Sequence, residues 1–156
     1  MNKFTAFAFC FVIVLGLLVL QGCGSGNSLG TTSVAGIVNV DGTPMEGVSV
    51  TFAPVDTTGR ECYGTTDAKG KFTMTVPGAE VGSGAIPGEY RVMFSKMSDP
   101  FAGLSEEEIE RKSAGGIPPS VNLLPEKYSN RDATDIAPVK VEKGKKNHFP
   151  FDLSTT

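Results

Sequence analysis

Hydrophobic and polar positions alternate in short runs along most of this chain. In Lys71-Phe72-Thr73-Met74-Thr75-Val76 the apolar residues take every second place, which gives a strand one apolar and one polar face. The run Glu61-Cys62-Tyr63-Gly64-Thr65-Thr66 precedes it, joined by Asp67-Ala68-Lys69-Gly70, whose Asp and Gly suit a tight turn. Together they predict a central β-hairpin over residues 61–76. Val34, Val38 and Val40, followed after Asp41-Gly42-Thr43-Pro44 by Val48, Val50 and Phe52, predict a second hairpin. Tyr90, Val92 and Phe94 share one face of a strand over residues 89–96, Val139 and Val141 open another, and Phe149, Phe151 and Leu153 line the last. Pro150 has no amide donor, so the last strand is expected to be an edge strand or to have its donor side facing solvent at that point. About seven strands with frequent turn signals predict an all-β fold, a two-sheet β-sandwich.

Residues 97–138 break the pattern and read as an insertion. Ser105-Glu106-Glu107-Glu108 has the form of a capping box, which predicts one short helix over residues 105–112. Ile117-Pro118-Pro119 and Leu124-Pro125 prevent a longer one, because proline lacks the donor a helix interior needs. Composition agrees: 19 Gly and 10 Pro in 156 residues suit a turn-rich β domain and not a helical bundle.

The first residues read as an address. Lys3 is followed by an uncharged run over residues 4–20 that ends in Leu20-Gln21-Gly22-Cys23, the layout of a secretory signal over residues 1–22. A retained membrane span is the competing reading, but no basic stop-transfer cluster follows the run. Leu20-Gln21-Gly22-Cys23 resembles the lipobox of bacterial lipoproteins. That resemblance implies cleavage before Cys23, a diacylglycerol thioether on its sulfur and acylation of its new amino group. Two or three acyl chains anchor far more firmly than one, at about 0.8 kcal/mol for each buried CH₂. Residues 23–33, rich in Gly, Ser, Asn and Thr, read as a flexible tether reaching about 35 Å when extended. The expected product is exported and lipid-anchored to the cell membrane or outer membrane, facing the periplasm or the surface.

Within residues 34–154 the motifs Val34-Ala35-Gly36-Ile37-Val38, Gly42-Thr43-Pro44-Met45-Glu46-Gly47-Val48-Ser49-Val50, Thr66-Asp67-Ala68-Lys69-Gly70-Lys71-Phe72 and Pro87-Gly88-Glu89-Tyr90-Arg91-Val92 resemble the carboxypeptidase regulatory-like domain. The resemblance implies a transthyretin-like Greek-key sandwich, recurrent in bacterial lipoproteins of about this size. It covers residues 33–96 well and the ending loosely, and its turn signatures speak to fold and hardly to activity.

The chemistry on offer is sparse. The whole chain has net charge −3, and loss of Lys3 with the leader makes it −4. No basic stripe invites nucleic acid. Cys10 leaves with the leader, Cys23 is the lipid attachment site, and Cys62 remains alone as a buried small hydrophobe. His148 is the single histidine, too few for a His-based metal centre or a Ser-His-Asp triad in any convincing setting, and it reads as solvated. Asp67-Ala68-Lys69-Gly70 lacks the spaced oxygen ligands of a calcium loop. Glu106, Glu107, Glu108 and Glu110 read as a solvated acidic face. Asn39 and Asn147 have no evident strand lysine for an isopeptide crosslink. With no Trp in the chain, a flat sugar platform has little to work with. Tyr63 and Tyr90 are expected in the core or half in it, and Tyr128 is expected as the one loop contact. These residues describe a non-enzymatic, cofactor-free, membrane-anchored structural or interaction module of the cell envelope. The alternative is a carbohydrate- or peptide-binding module that uses the 97–138 insertion. The expected partners are the membrane, through the lipid on Cys23, and an envelope protein or glycan.

Overall fold

The computed structural model describes residues 29–156. The expected leader over residues 1–22, the lipid site Cys23 and the first part of the tether lie outside the described residues. The described chain is mostly strand and carries one short α-helix. Its elements are β1 (Val34–Val40), β2 (Thr43–Pro44), β3 (Ser49–Pro54), β4 (Cys62–Thr65), β5 (Lys71–Thr73), β6 (Gly88–Ser95), α1 (Glu106–Ser113), a single 3-10 turn (Glu126–Tyr128), β7 (Val139–Val141) and β8 (Asn147–Leu153).

Two four-stranded sheets form, the arrangement of a small β-sandwich. In the first, β1 is central: it pairs in parallel with β8 from Val34↔Asn147 to Val40↔Leu153, and its other edge is shared by β2 and β5, both antiparallel. The second runs β4-β3-β6-β7 and is antiparallel throughout. The β1–β2 hairpin closes through Asp41 and Gly42, with φ of 50° and 79°, the left-handed pair that a two-residue turn matching strand twist requires. β8 lies at a sheet edge, the first of the two placements that Pro150 allows.

The two hairpins expected from the sequence are rearranged. β4 pairs with β3 in one sheet and β5 with β1 in the other, so residues 61–76 form a corner between sheets. Across it Tyr63 and Thr75 still exchange bonds, N–H to carbonyl in both directions at 3.0 and 2.8 Å, and at the turn the Asp67 amide donates to the Lys71 carbonyl at 2.8 Å. Likewise β1 pairs with β2, while the strand carrying Val50 and Phe52 joins the opposite sheet. Thr66 fixes the corner. Its buried hydroxyl accepts from the Val48 amide at 2.8 Å and donates to the Met45 carbonyl at 2.6 Å.

The apolar faces meet between the sheets. Val34, Val38 and Val40 of β1 and Phe151 and Leu153 of β8 oppose Val50 and Phe52 of β3 and Tyr90, Val92 and Phe94 of β6, all buried. Phe151 is the hub: its ring centroid lies 4.9 Å from Phe94, 6.2 Å from Phe72 and 6.5 Å from Phe52. Burying each such side chain contributes about 1.5–3 kcal/mol. Gly36 lets β8 come this close, because a Cβ there would collide with the Phe149 carbonyl and the Phe72 ring.

The insertion is of two kinds. α1 has the expected capping box, Ser105 Oγ accepting from the Glu108 amide and the Glu108 carboxylate accepting from the Ser105 amide at 2.9 Å, but it buries no residue. Residues 121–128, in contrast, are built into the body. Leu123 N–H donates to the Lys96 carbonyl at 2.7 Å, and Leu124 and Tyr128 are buried in the common core.

Candidate functional site

Most residues with chemical potential are used for structure. The Cys62 thiol faces the core on β4, and burial pushes its pKa up to about 12, so it is no nucleophile at ordinary pH. Asp67 Oδ1 accepts from the Lys69 and Lys71 amides at 2.8 and 2.9 Å, and these bonds hold its carboxyl below the usual range. That is the side-chain turn read from the sequence. Asn39 donates to the Asp152 carboxylate at 2.8 Å. His148 points outward from β8 and is exposed. The acidic residues of α1 lie on a helix with no buried side. Among the described residues no three His, Cys, Asp or Glu side chains are grouped to hold a metal ion, and no helix is long and apolar enough to cross a membrane.

Two tyrosines are the reverse of expectation. Tyr128 is buried in the core, and its hydroxyl accepts from the Ser154 amide at 3.0 Å; it is no loop contact. Tyr63 is 44% exposed. With Cys62 facing inward, its neighbour on a strand must face out. The Tyr63 hydroxyl donates to the Glu61 carboxylate at 2.5 Å, and that carboxylate raises the phenol's pKa. Tyr90 behaves as expected, fully buried with its hydroxyl on the Ile86 carbonyl at 2.7 Å. Desolvation pushes its pKa to about 12.

A surface depression of about 360 Å³ runs along the β4–β5 corner between Tyr63, Thr65, Thr73, Thr75 and Val81. It offers one phenol and three threonine hydroxyls, with no imidazole or thiolate among its lining residues to activate them. A smaller one, about 100 Å³, lies by Thr51, Met93 and Ser129.

A denser arrangement occupies the end of the sandwich where β1 begins. Asn147 is buried there and its whole amide is used: Oδ1 accepts from the Glu142 amide at 2.9 Å, and Nδ2 donates to the carbonyls of Glu142, Lys145 and Ser33 at 3.0, 3.2 and 3.3 Å. It therefore clamps the Lys143-Gly144-Lys145-Lys146 turn against the strand entrance. Lys145 forms an ion pair with Glu142 at 2.5 Å, while Lys143 and Lys146 are exposed. Thr32 and Ala85 exchange backbone bonds at 2.8 and 3.0 Å, so the stretch expected as a tether is fixed to the body from Thr32 onward. Beside it, loop 77–84 projects Val81, 94% exposed. From the sequence Asn147 stands out only as a crosslink candidate. The usable signal was three lysines within four residues immediately before the strand that pairs with β1.

Comparison with known proteins gave no match: not to a family model, not to a curated protein and not to a solved structure. The likeness to the carboxypeptidase regulatory-like domain thus rests on the motifs quoted from the sequence.

Proposed function

We propose that this chain is a lipid-anchored, non-enzymatic module of the bacterial cell envelope, whose body is a transthyretin-like Greek-key sandwich of the carboxypeptidase regulatory-like kind. The observation that carries this reading is Leu20-Gln21-Gly22-Cys23 at the end of an uncharged run and directly before a Gly/Ser-rich stretch. Support comes from the body's economy. Its one remaining thiol is buried and its one histidine stands alone on an edge strand, which suits a structural or interaction unit. Mass spectrometry of the mature N-terminus tests the anchor: a diacylglyceryl Cys23 as first residue is expected, and an unmodified Cys23 or an intact 1–22 segment refutes it.

A second reading, peptide capture by the 97–138 insertion, draws support from its exposed apolar residues Met97, Ile117, Val121 and Leu123. Glycan capture draws less, because Tyr128 is not available at the surface. Deleting residues 99–117 removes α1, which buries nothing, so the body should keep its circular dichroism. Loss of a captured envelope peptide in that variant favours the second reading, and unchanged capture favours the first.

A further inference from the structure

Lipid attachment at Cys23 leaves open which side of the body faces the bilayer. The chain from Cys23 enters the sandwich at one defined place, since Thr32 is bonded to Ala85 and Ser33 to Asn147. Leu29 is six residue steps from Cys23, a reach of about 20 Å. Whatever surrounds that entrance is therefore held within a short distance of the lipid. Around it stand loop 77–84, with its exposed Val81, and the Lys143–Lys146 turn. The opposite end is where α1 leaves the body, with four glutamates against Arg111 and Lys112. β6 ends at Ser95 opposite Ser49, and Lys96 lies against Gly47, so the insertion leaves from there, carrying Glu106, Glu107, Glu108 and Glu110.

We propose that the entrance end of the body is a membrane-contact surface, where Lys143 and Lys146 meet the phosphate groups of anionic phospholipid and Val81 dips into the interfacial layer. The proposal rests on the anchored reading above and adds an orientation to it. Charge complementarity selects this face. The protein without its leader is acidic overall, yet the turn nearest the anchor is basic, so an anionic surface attracts this end and repels the helix end. Lys145 contributes little because Glu142 is paired with it. Other charges stand at this end: Glu80 beside Val81, Glu89 opposite Lys140, and Asp56, Arg60 and Glu61 on the loop after β3; the carboxylates among them oppose the contact, and Lys143 and Lys146 are the exposed cations of the turn that would have to outweigh them. Each lysine near an anionic leaflet strengthens association roughly fivefold at physiological salt, so the pair supplies about 30-fold. An acyl anchor with a basic patch is the two-signal combination that makes membrane attachment durable.

The test uses the full chain, processed by its host and reconstituted into phosphatidylcholine vesicles with or without phosphatidylglycerol. A fluorophore is placed at Val81→Cys or at Glu107→Cys; the buried Cys62 does not compete. In vesicles with phosphatidylglycerol, headgroup-located nitroxide lipid should quench the label at position 81 several-fold more strongly than the label at 107. The Lys143→Gln/Lys146→Gln variant should lose that difference. Equal quenching at the two positions, or stronger quenching at 107, overturns the contact surface. A difference that survives both the double substitution and removal of phosphatidylglycerol overturns recognition of anionic lipid. The mass of the N-terminal peptide from the same sample reads the anchor separately. Should Cys23 carry no lipid, the anchored reading fails, and sedimentation with phosphatidylglycerol vesicles still decides the surface: about 30-fold weaker binding of the double variant upholds it and equal binding overturns it.

Discussion

Phe151→Ala probes whether β8 lies where the parallel pairing puts it. Phe151 is buried and its ring meets those of Phe52, Phe72, Phe94 and Phe149, so it touches both sheets. Truncating a fully enclosed phenylalanine costs about 3–5 kcal/mol, the transfer of the ring plus the cavity left behind. The surroundings can collapse little, because Phe52 and Phe94 sit on strands of the opposite sheet. About 4 kcal/mol is the expected loss, which for a body of this size lowers the melting temperature by roughly 10–20 °C. Phe149 shares the inward face but is only half-buried, so Phe149→Ala should cost about half as much. Urea unfolding followed by circular dichroism measures both, with equal m-values confirming that stability alone has changed. A one-residue slip would turn both rings outward, and a two-residue slip would exchange their burial. Phe149→Ala costing as much as Phe151→Ala, or both costing under about 1 kcal/mol, would refute the register.

Thr66→Val keeps the shape at the corner but strands the Val48 amide and the Met45 carbonyl, and should cost about 1–3 kcal/mol in the same assay. Cys62 has a folded pKa raised from 9.0 to about 12. The thiol's contribution is therefore complete below about pH 9 and is lost as pH rises towards 12, when the unfolded chain gains from ionising; Cys62→Ala should flatten that alkaline limb of the unfolding curve. Ser105→Ala removes the cap and should weaken α1 by about 1 kcal/mol, seen as faster amide exchange over residues 106–113, with unchanged global unfolding because the helix buries nothing. Gly84 has a φ of 89° and no room for a Cβ against the Thr32 carbonyl. Gly84→Ala should thus release the Thr32–Ala85 bridge and expose the N-terminal stretch to limited proteolysis.

The interior was legible because period-two alternation states which side chains share a face. Val48, Val50, Phe52, Phe72, Met74, Tyr90, Val92 and Phe94 are all buried, as their spacing requires. Alternation is silent on partners, however. Residues 61–76 look like a hairpin locally, and the division of β4 and β5 between two sheets depends on strands far along the chain. Tyr63 was recoverable: once Cys62 is assigned inward, its neighbour must point out. Tyr128 was not, since a 3-10 turn between Pro125 and an irregular segment carries no period. The basic entrance needed the pairing of first strand with last, which no local pattern contains.

That pairing has a temporal consequence. β8 completes the sheet alongside β1, across a sequence separation of 113 residues at Asn39 and Asp152, so the aromatic hub cannot close before β8 itself has been made. Long-range closure of this kind is slow. A nascent chain would stay open and threadable until β8 emerged, and one stopped at Val141 would never seal.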